Sequence, residues 1–214
     1  MTQMPAITSI GAVTSLGPDW TRSWQNLLAG QYTISQPTDL SLAAPVAVPV
    51  SAIAGLERTD PTRPPASLLI EAAIAELGIL PDASHRLWAA TNHGEADLAL
   101  ATAEEDASST ALQDRRFGAA HATWIASACT GGLHALWFAW LEARVRPGPW
   151  LVAAGDALSS IGVAGFFAAG ATGKGPAEPF RTGSGGMIVG EGAIAIELRT
   201  DAAADCAHVG AVAV

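Results

Sequence analysis

The spacing of apolar residues changes repeatedly along the chain, and each change marks an element. Ala6–Val13 (AITSIGAV) reads as a short strand, and Ser15-Leu16-Gly17-Pro18 reads as a turn. Asp19 can then cap a helix carrying Trp20, Trp24, Leu27 and Leu28 at i, i+4, i+7 and i+8, ending at Gly30. The stretch from Gln36 to Pro65 is rich in proline and alanine and predicts an irregular excursion. Ser67–Leu77 predicts an amphipathic helix stopped by Gly78, Arg86–Thr91 a buried strand, and Asn92-His93-Gly94 a turn. Ala96–Leu112, with Glu104, Glu105 and Asp106, predicts a helix plus a mobile loop. Thr123–Ala128 predicts a strand. After it, Leu133, Leu136, Trp137, Trp140 and Leu141 recur at helical spacing while Phe138 and Ala139 fill the opposite side. A helix that is apolar nearly all round is expected between two layers. Trp150–Ala154, Gly192–Leu198 and His208–Val214 predict further strands, the last two as an antiparallel pair at the sheet edge. Strands alternating with helices predict an α/β fold with a largely parallel sheet, and residues 1–214 are read as one domain.

Composition narrows the function classes. Half of the 214 residues are hydrophobic and 14% are charged, which predicts extensive burial or an apolar interface. A formal charge of −9 argues against nucleic acid, since phosphate binding needs a surplus of Lys and Arg, and Lys174 is the only lysine. Two cysteines, Cys129 and Cys206, make no disulfide framework, and no basic residue precedes Arg22. The expectation is therefore a cytoplasmic protein without a signal peptide. Between Phe117 and Leu141 there is no Asp, Glu, Lys or Arg, so a membrane span has to be weighed. Ser127, Thr130, Gly131 and Gly132 fall in the middle of that run, where a span tolerates polar and glycine residues least. Two buried elements joined by a turn is the reading taken.

Cys129 is the candidate nucleophile. In Ser127-Ala128-Cys129-Thr130-Gly131-Gly132 a strand ends at the thiol, small residues make a tight turn, and a helix begins. Such a turn lifts the side chain clear of the sheet. The helix N-terminus favours a thiolate and offers backbone N–H groups, here from the Thr130, Gly131 and Gly132 turn, to an oxyanion. The competing reading is a buried cysteine packed as a small hydrophobe. The residues alone leave the two open.

ASACTGGLHAL resembles the active-site signature of the β-ketoacyl-acyl-carrier-protein synthases, the ketosynthases. Pro179–Leu198 (PFRTGSGGMIVGEGAIAIEL) is similar to that family's second motif, a Pro-Phe-Asp before a glycine and a Gly-Glu-Gly-Ala box, Gly190-Glu191-Gly192-Ala193, opening a strand. Ala154–Ala171 resembles the stretch between the two motifs, and the opening AITSIGAVTSLGPDWTRSWQNLLAGQ resembles the family's first strand and helix. These four ordered matches extend over most of the chain. They imply one half of the duplicated, layered thiolase-like fold: a mostly parallel five-stranded sheet with an antiparallel edge strand. The chain ends near where that half's last strand would end, which suggests a natural half-size protein or a single domain of a larger one.

The resemblance implies that Cys129 takes an acyl chain from an acyl carrier protein in fatty acid or polyketide biosynthesis, with no cofactor and no metal. Two departures stand out. Arg181 replaces the family's Asp, and none of His85, His93, His121, His134 or His208 lies in the context of the two histidines that assist condensation in the family. Those histidines come from the second half, so condensation would need a partner subunit of ketosynthase type or a homodimer. Glu191 would be a buried structural carboxylate. Arg115, Arg116, Arg144 and Arg146 are candidates for docking the acidic carrier, against the alternative that they are solvated or sit at helix ends. A non-catalytic chain-length-factor-like partner is the alternative, which the retained Cys129 disfavours. A third reading is a hydrolase elbow at Cys129 with Asp156 or Asp201 and His208 in chain order.

Overall fold

Five long strands form the sheet in the computed structural model, which describes residues 4–35, 48–56, 65–92, 116–173, 181–183, 185–202 and 206–210. In chain order the elements are β1 (Ala6–Thr14), α1 (Trp20–Leu28), β2 (Val50–Ser51), α2 (Pro65–Glu76), β3 (Arg86–Ala90), β4 (Arg116–Phe117) and β5 (Ala120–Ile125). They continue with α3 (Gly131–Ala143), β6 (Trp150–Asp156), α4 (Ser160–Ala168), β7 (Val189–Gly190), β8 (Gly192–Arg199) and β9 (Ala207–His208). The sheet order is β4-β5-β3-β6-β8-β1-β9, and β2 and β7 form a separate small pair.

β5, β3 and β6 pair in parallel, while β8 runs antiparallel to both β6 and β1, so four of the five long strands share one direction. The thiolase-like α/β arrangement is therefore present, with short antiparallel strands β4 and β9 at its edges, but β8, expected at the edge, lies inside the sheet. β8 alternates Ala193 and Ala195 on one face with Ile194, Ile196 and Leu198 on the other, and strands apolar on both faces are interior strands. β8 and β9 do not pair with each other as expected from sequence. They flank β1, which both meet antiparallel.

The two sheet faces are covered by different helices. Leu69, Ile70, Ala73, Ile74 and Leu77 of α2 and its end pack on Leu87, Ala89, Leu151, Ala153, Ala193 and Ala195. Ala135, Ala139 and Ala143 of α3 pack on the alternate residues Ala90, Trp150, Val152 and Leu198. α2 lies directly on β1 at Gly11, where an added Cβ would come within 2.1 Å of the Ala73 carbonyl oxygen.

Two helices depart from their sequence reading. Asp19 does cap α1, accepting from the Arg22 N–H at 2.6 Å, and Gly30 follows at φ +67°. Yet α1 buries its polar side. Ser23 donates to the Gly17 carbonyl and Asn26 to the Leu16 carbonyl, leaving Trp24, Leu27 and Leu28 exposed. These side chain-to-backbone bonds satisfy buried turn carbonyls, which outweighs covering the apolar stripe. α3 is covered on one side only: Ala135, Ala139 and Trp140 are buried, whereas Leu133 is 54% exposed and Trp137 and Phe138 are half-buried. The uncharged run from 117 to 141 is thus strand, turn and helix, and no described helix is long and apolar enough to cross a membrane. The readings for 36–47, 93–115 and 211–214 lie outside the described residues.

Candidate functional site

Cys129 is exposed, at the turn between β5 and α3. Ala128 just before it has φ +51°, the one non-glycine residue among those described in the left-handed region. A Cβ there is strained, so the surrounding contacts must hold the turn. They do so in a short cycle. Thr130 Oγ1 donates to the Ser127 carbonyl at 2.7 Å, the Gly131 N–H donates to the Ala128 carbonyl at 3.0 Å, and Ser127 Oγ lies 2.7 Å from His134 Nδ1. Thr130 is the N-cap of α3 without a side-chain cap bond, because its hydroxyl is engaged with Ser127.

The two glycines set how closely the helix start meets the sheet. A Cβ at Gly131 would lie 3.2 Å from Ala90 Cβ and one at Gly132 would lie 3.1 Å from Ala154 Cβ. The first turn of α3 therefore rests on the carboxyl ends of β3 and β6. Contrary to the expectation from sequence, the Thr130 and Gly131 N–H groups are given to the Ser127 and Ala128 carbonyls, which leaves those of Gly132 and Leu133 for an oxyanion.

A cleft of about 320 Å³ opens there. It is lined by Ala128, Cys129, Gly131 and Gly132, by Ala90, Thr91 and Asn92 after β3, by Ala154–Asp156 of β6, and by Gly190 and Gly192. Ligand crevices in open α/β sheets lie at this end of the strands. Asp156 ties the neighbouring strand end, accepting from Thr91 Oγ1 at 2.7 Å and from the Asn92 N–H at 2.8 Å. Thr91, Asn92 and Ala154 were not singled out from sequence, and Asp156 only within the hydrolase reading. Their signal is positional, as they follow two strands that pair in parallel register, Ala90 opposite Ala154.

Glu191 is 7% exposed and joins three segments behind the cleft. One carboxylate oxygen accepts from the Ile53 N–H at 2.6 Å and the other from the Leu158 N–H at 3.0 Å, while its own N–H donates to the Ser51 carbonyl. Gly190 ends β7 and Gly192 begins β8, so this box carries the chain from the small sheet into the large one.

The remaining candidates lie elsewhere. Arg144 is the C-cap of α3, with its guanidinium 4.6 Å from the Trp140 ring centroid. Arg146 follows it, at the opposite end from Cys129 of a 13-residue helix about 20 Å long at 1.5 Å per residue. Arg116 is in β4, opposite His121, and Arg115 lies outside the described residues. His208 stands opposite Ala6 on β9, three strands from β6, a separation of roughly 14 Å at ~4.8 Å per strand. Through the β1–β8–β6 register it is also level with Trp150, at the far end of the strand from Asp156. Asp201 is engaged by Arg199 at 2.9 Å, which holds its carboxyl below the usual range. The hydrolase triad of Cys129 with His208 is thereby excluded by geometry. Among the described residues no group of three metal-ligating side chains is present.

No family model and no curated protein matches the sequence. Solved structures do. A ketosynthase in complex with its chain length factor from Xenorhabdus doucetiae superposes with a TM-score of 0.73 at 16% identity, covering 94% of this chain and 59% of that chain. The ishigamide ketosynthase/chain length factor gives 0.76 at 18% identity, with 93% and 59% covered. A type II polyketide synthase acyl-carrier protein in complex with its ketosynthase, bound to the hexaketide, gives 0.68 at 17% identity, with 93% and 58% covered. The chain thus spans about three-fifths of the length of the ketosynthases it matches, and its fold is the ketosynthase fold.

Proposed function

We propose that this chain is a ketosynthase-like component of carrier-bound acyl or polyketide assembly, in which Cys129 accepts the acyl chain. The observation that carries the reading is the exposed thiol on the strained Ala128 turn, at the N-terminus of α3 and in a cleft at the carboxyl ends of β3 and β6. Cys129 Sγ, as thiolate, attacks the carbonyl carbon of a carrier-bound thioester. First-turn N–H groups of α3 stabilise the oxyanion of the tetrahedral intermediate. As it collapses, the bond to the carrier sulfur breaks, and the carrier thiol leaves with the proton that Cys129 gave up. The product is acyl-Cys129.

Condensation is a further demand. No histidine lines the cleft among the described residues, and the acid–base partner for condensation is assigned to a second subunit. The exposed outer face of α3, with Leu133, half-buried Trp137 and exposed Leu141, is the surface that such a subunit or a second copy would cover. The same missing histidines favour, as a second reading, a chain-length-factor-like role beside an active ketosynthase. A competition experiment with limiting iodoacetamide tests the nucleophile. The acyl-acceptor reading predicts alkylation of Cys129 well ahead of Cys206, and equal, sluggish labelling of both would leave the non-catalytic role.

A further inference from the structure

A second cleft, of about 530 Å³, lies at the other end of α3. Arg86, His85, His121, Thr123, Glu142 and Arg146 all line it, with Trp88 beside them. It occupies the α3 face of β3 and β5. On that face Thr123 pairs opposite Trp88, and the helix lies mainly over β3 and β6 and only marginally over β5. Both arginines line the cleft, and among the described residues neither guanidinium has a carboxylate within 4.0 Å. In a chain with charge −9, a cleft whose lining holds two arginines and a single carboxylate, Glu142, has a local balance of charge opposite to that of the whole.

Arg86 is also pre-positioned. Its Cζ stands 5.0 Å from the Trp150 ring centroid, and the Trp150 indole N–H donates to the Arg146 carbonyl at 3.1 Å. Stacking uses the guanidinium face and leaves its in-plane N–H fork for an oxyanion. The hydroxyl of Thr123 and the imidazoles of His85 and His121 add donors on the same wall. Glu142, which lies one helical turn before Arg146, is the single carboxylate lining the cleft.

We propose that this cleft is a binding site for a small phosphate-monoester-class oxyanion, gripped between Arg86 and Arg146. It is independent of the Cys129 chemistry, from which the length of α3 separates it. Glu142 opposes the anion and sets the affinity low. Each guanidinium contributes charge-assisted hydrogen bonds, so loss of one weakens binding by about tenfold or more.

The test is titration of the full chain with inorganic phosphate at constant ionic strength, followed by calorimetry and by backbone amide shifts. Saturable binding is expected, with shifts confined to residues 83–88, 119–123 and 142–146. Arg146→Gln should weaken it about tenfold, and Glu142→Gln, which removes the opposing charge without touching the cations, should tighten it several-fold. Replacing phosphate by chloride should produce no saturable shift. Non-saturating behaviour, or equal affinity in the wild type, Arg146→Gln and Glu142→Gln proteins, would overturn the assignment.

Discussion

Ser127 Oγ and His134 Nδ1 lie 2.7 Å apart, so the side chains two residues before and five residues after Cys129 clasp each other across the turn that presents it. His134 does not line the cleft. Its imidazole acts as a brace, filling a polar position beside the strained Ala128. Ser127→Ala removes the shorter of the two hydroxyl contacts to the imidazole nitrogen, leaving Thr130 Oγ1 at 3.2 Å, and should cost about 1 kcal/mol in chemical denaturation. It should also make the Cys129 segment exchange its amide hydrogens faster, while α2 and β1 keep their protection.

Ala128 gives the converse test. Replacing it with glycine removes a Cβ from the left-handed region and should be neutral or stabilising by up to about 1 kcal/mol. Ala128→Val should destabilise clearly, since a β-branched side chain is the least tolerated there. Thermal melts of the pair should therefore move in opposite directions from each other.

Glu191 closes three segments with one carboxylate, and its two accepted N–H bonds come from residues far apart in sequence, Ile53 and Leu158. Glu191→Ala strands two N–H donors in a nearly closed site and should cost about 2–4 kcal/mol. The loss should appear first as deuterium uptake at 50–53 and 157–159, with slower change in β8.

Leu133 is more than half exposed on the outer side of α3. Leu133→Glu should alter the stability of the isolated chain by no more than about 0.5 kcal/mol, as an acidic residue suits a helix first turn. Co-expressed with a ketosynthase-type partner, the same variant should fail to co-elute where the wild type forms a complex. Equal recovery of both complexes would place the partner surface elsewhere.

Much of this was legible in the residues because burial writes a period into the chain. β1, β3, β6 and β8 and the helices α2 and α3 fall within a few residues of their predicted places, and Gly30 and Gly78 stop helices at φ +67° and +71°. Periodicity reports that a stripe is apolar, and not what covers it. That is why the apolar side of α1 was not foreseen as exposed: Ser23 and Asn26 are fixed by carbonyls of the preceding turn, a tertiary contact with no period. β8 was expected at the sheet edge although its two apolar faces suit an interior strand, and its partners were not legible because strand order depends on long-range pairing. At the site, Cys129, Gly131 and Gly132 announced themselves through local turn chemistry. Asp156 and Thr91 reach the cleft only because β3 and β6 are neighbours in the sheet.

The central claim is that Cys129 is placed to take an acyl group, and its most direct test is intact-protein and peptide mass analysis after incubation with an acyl-carrier-protein thioester. The account predicts a single acyl adduct on the peptide containing Cys129, none on Cys206, and its disappearance in Cys129→Ala. No adduct on wild-type protein of native fold, with or without a ketosynthase-type partner, or an adduct that persists in Cys129→Ala, would contradict it.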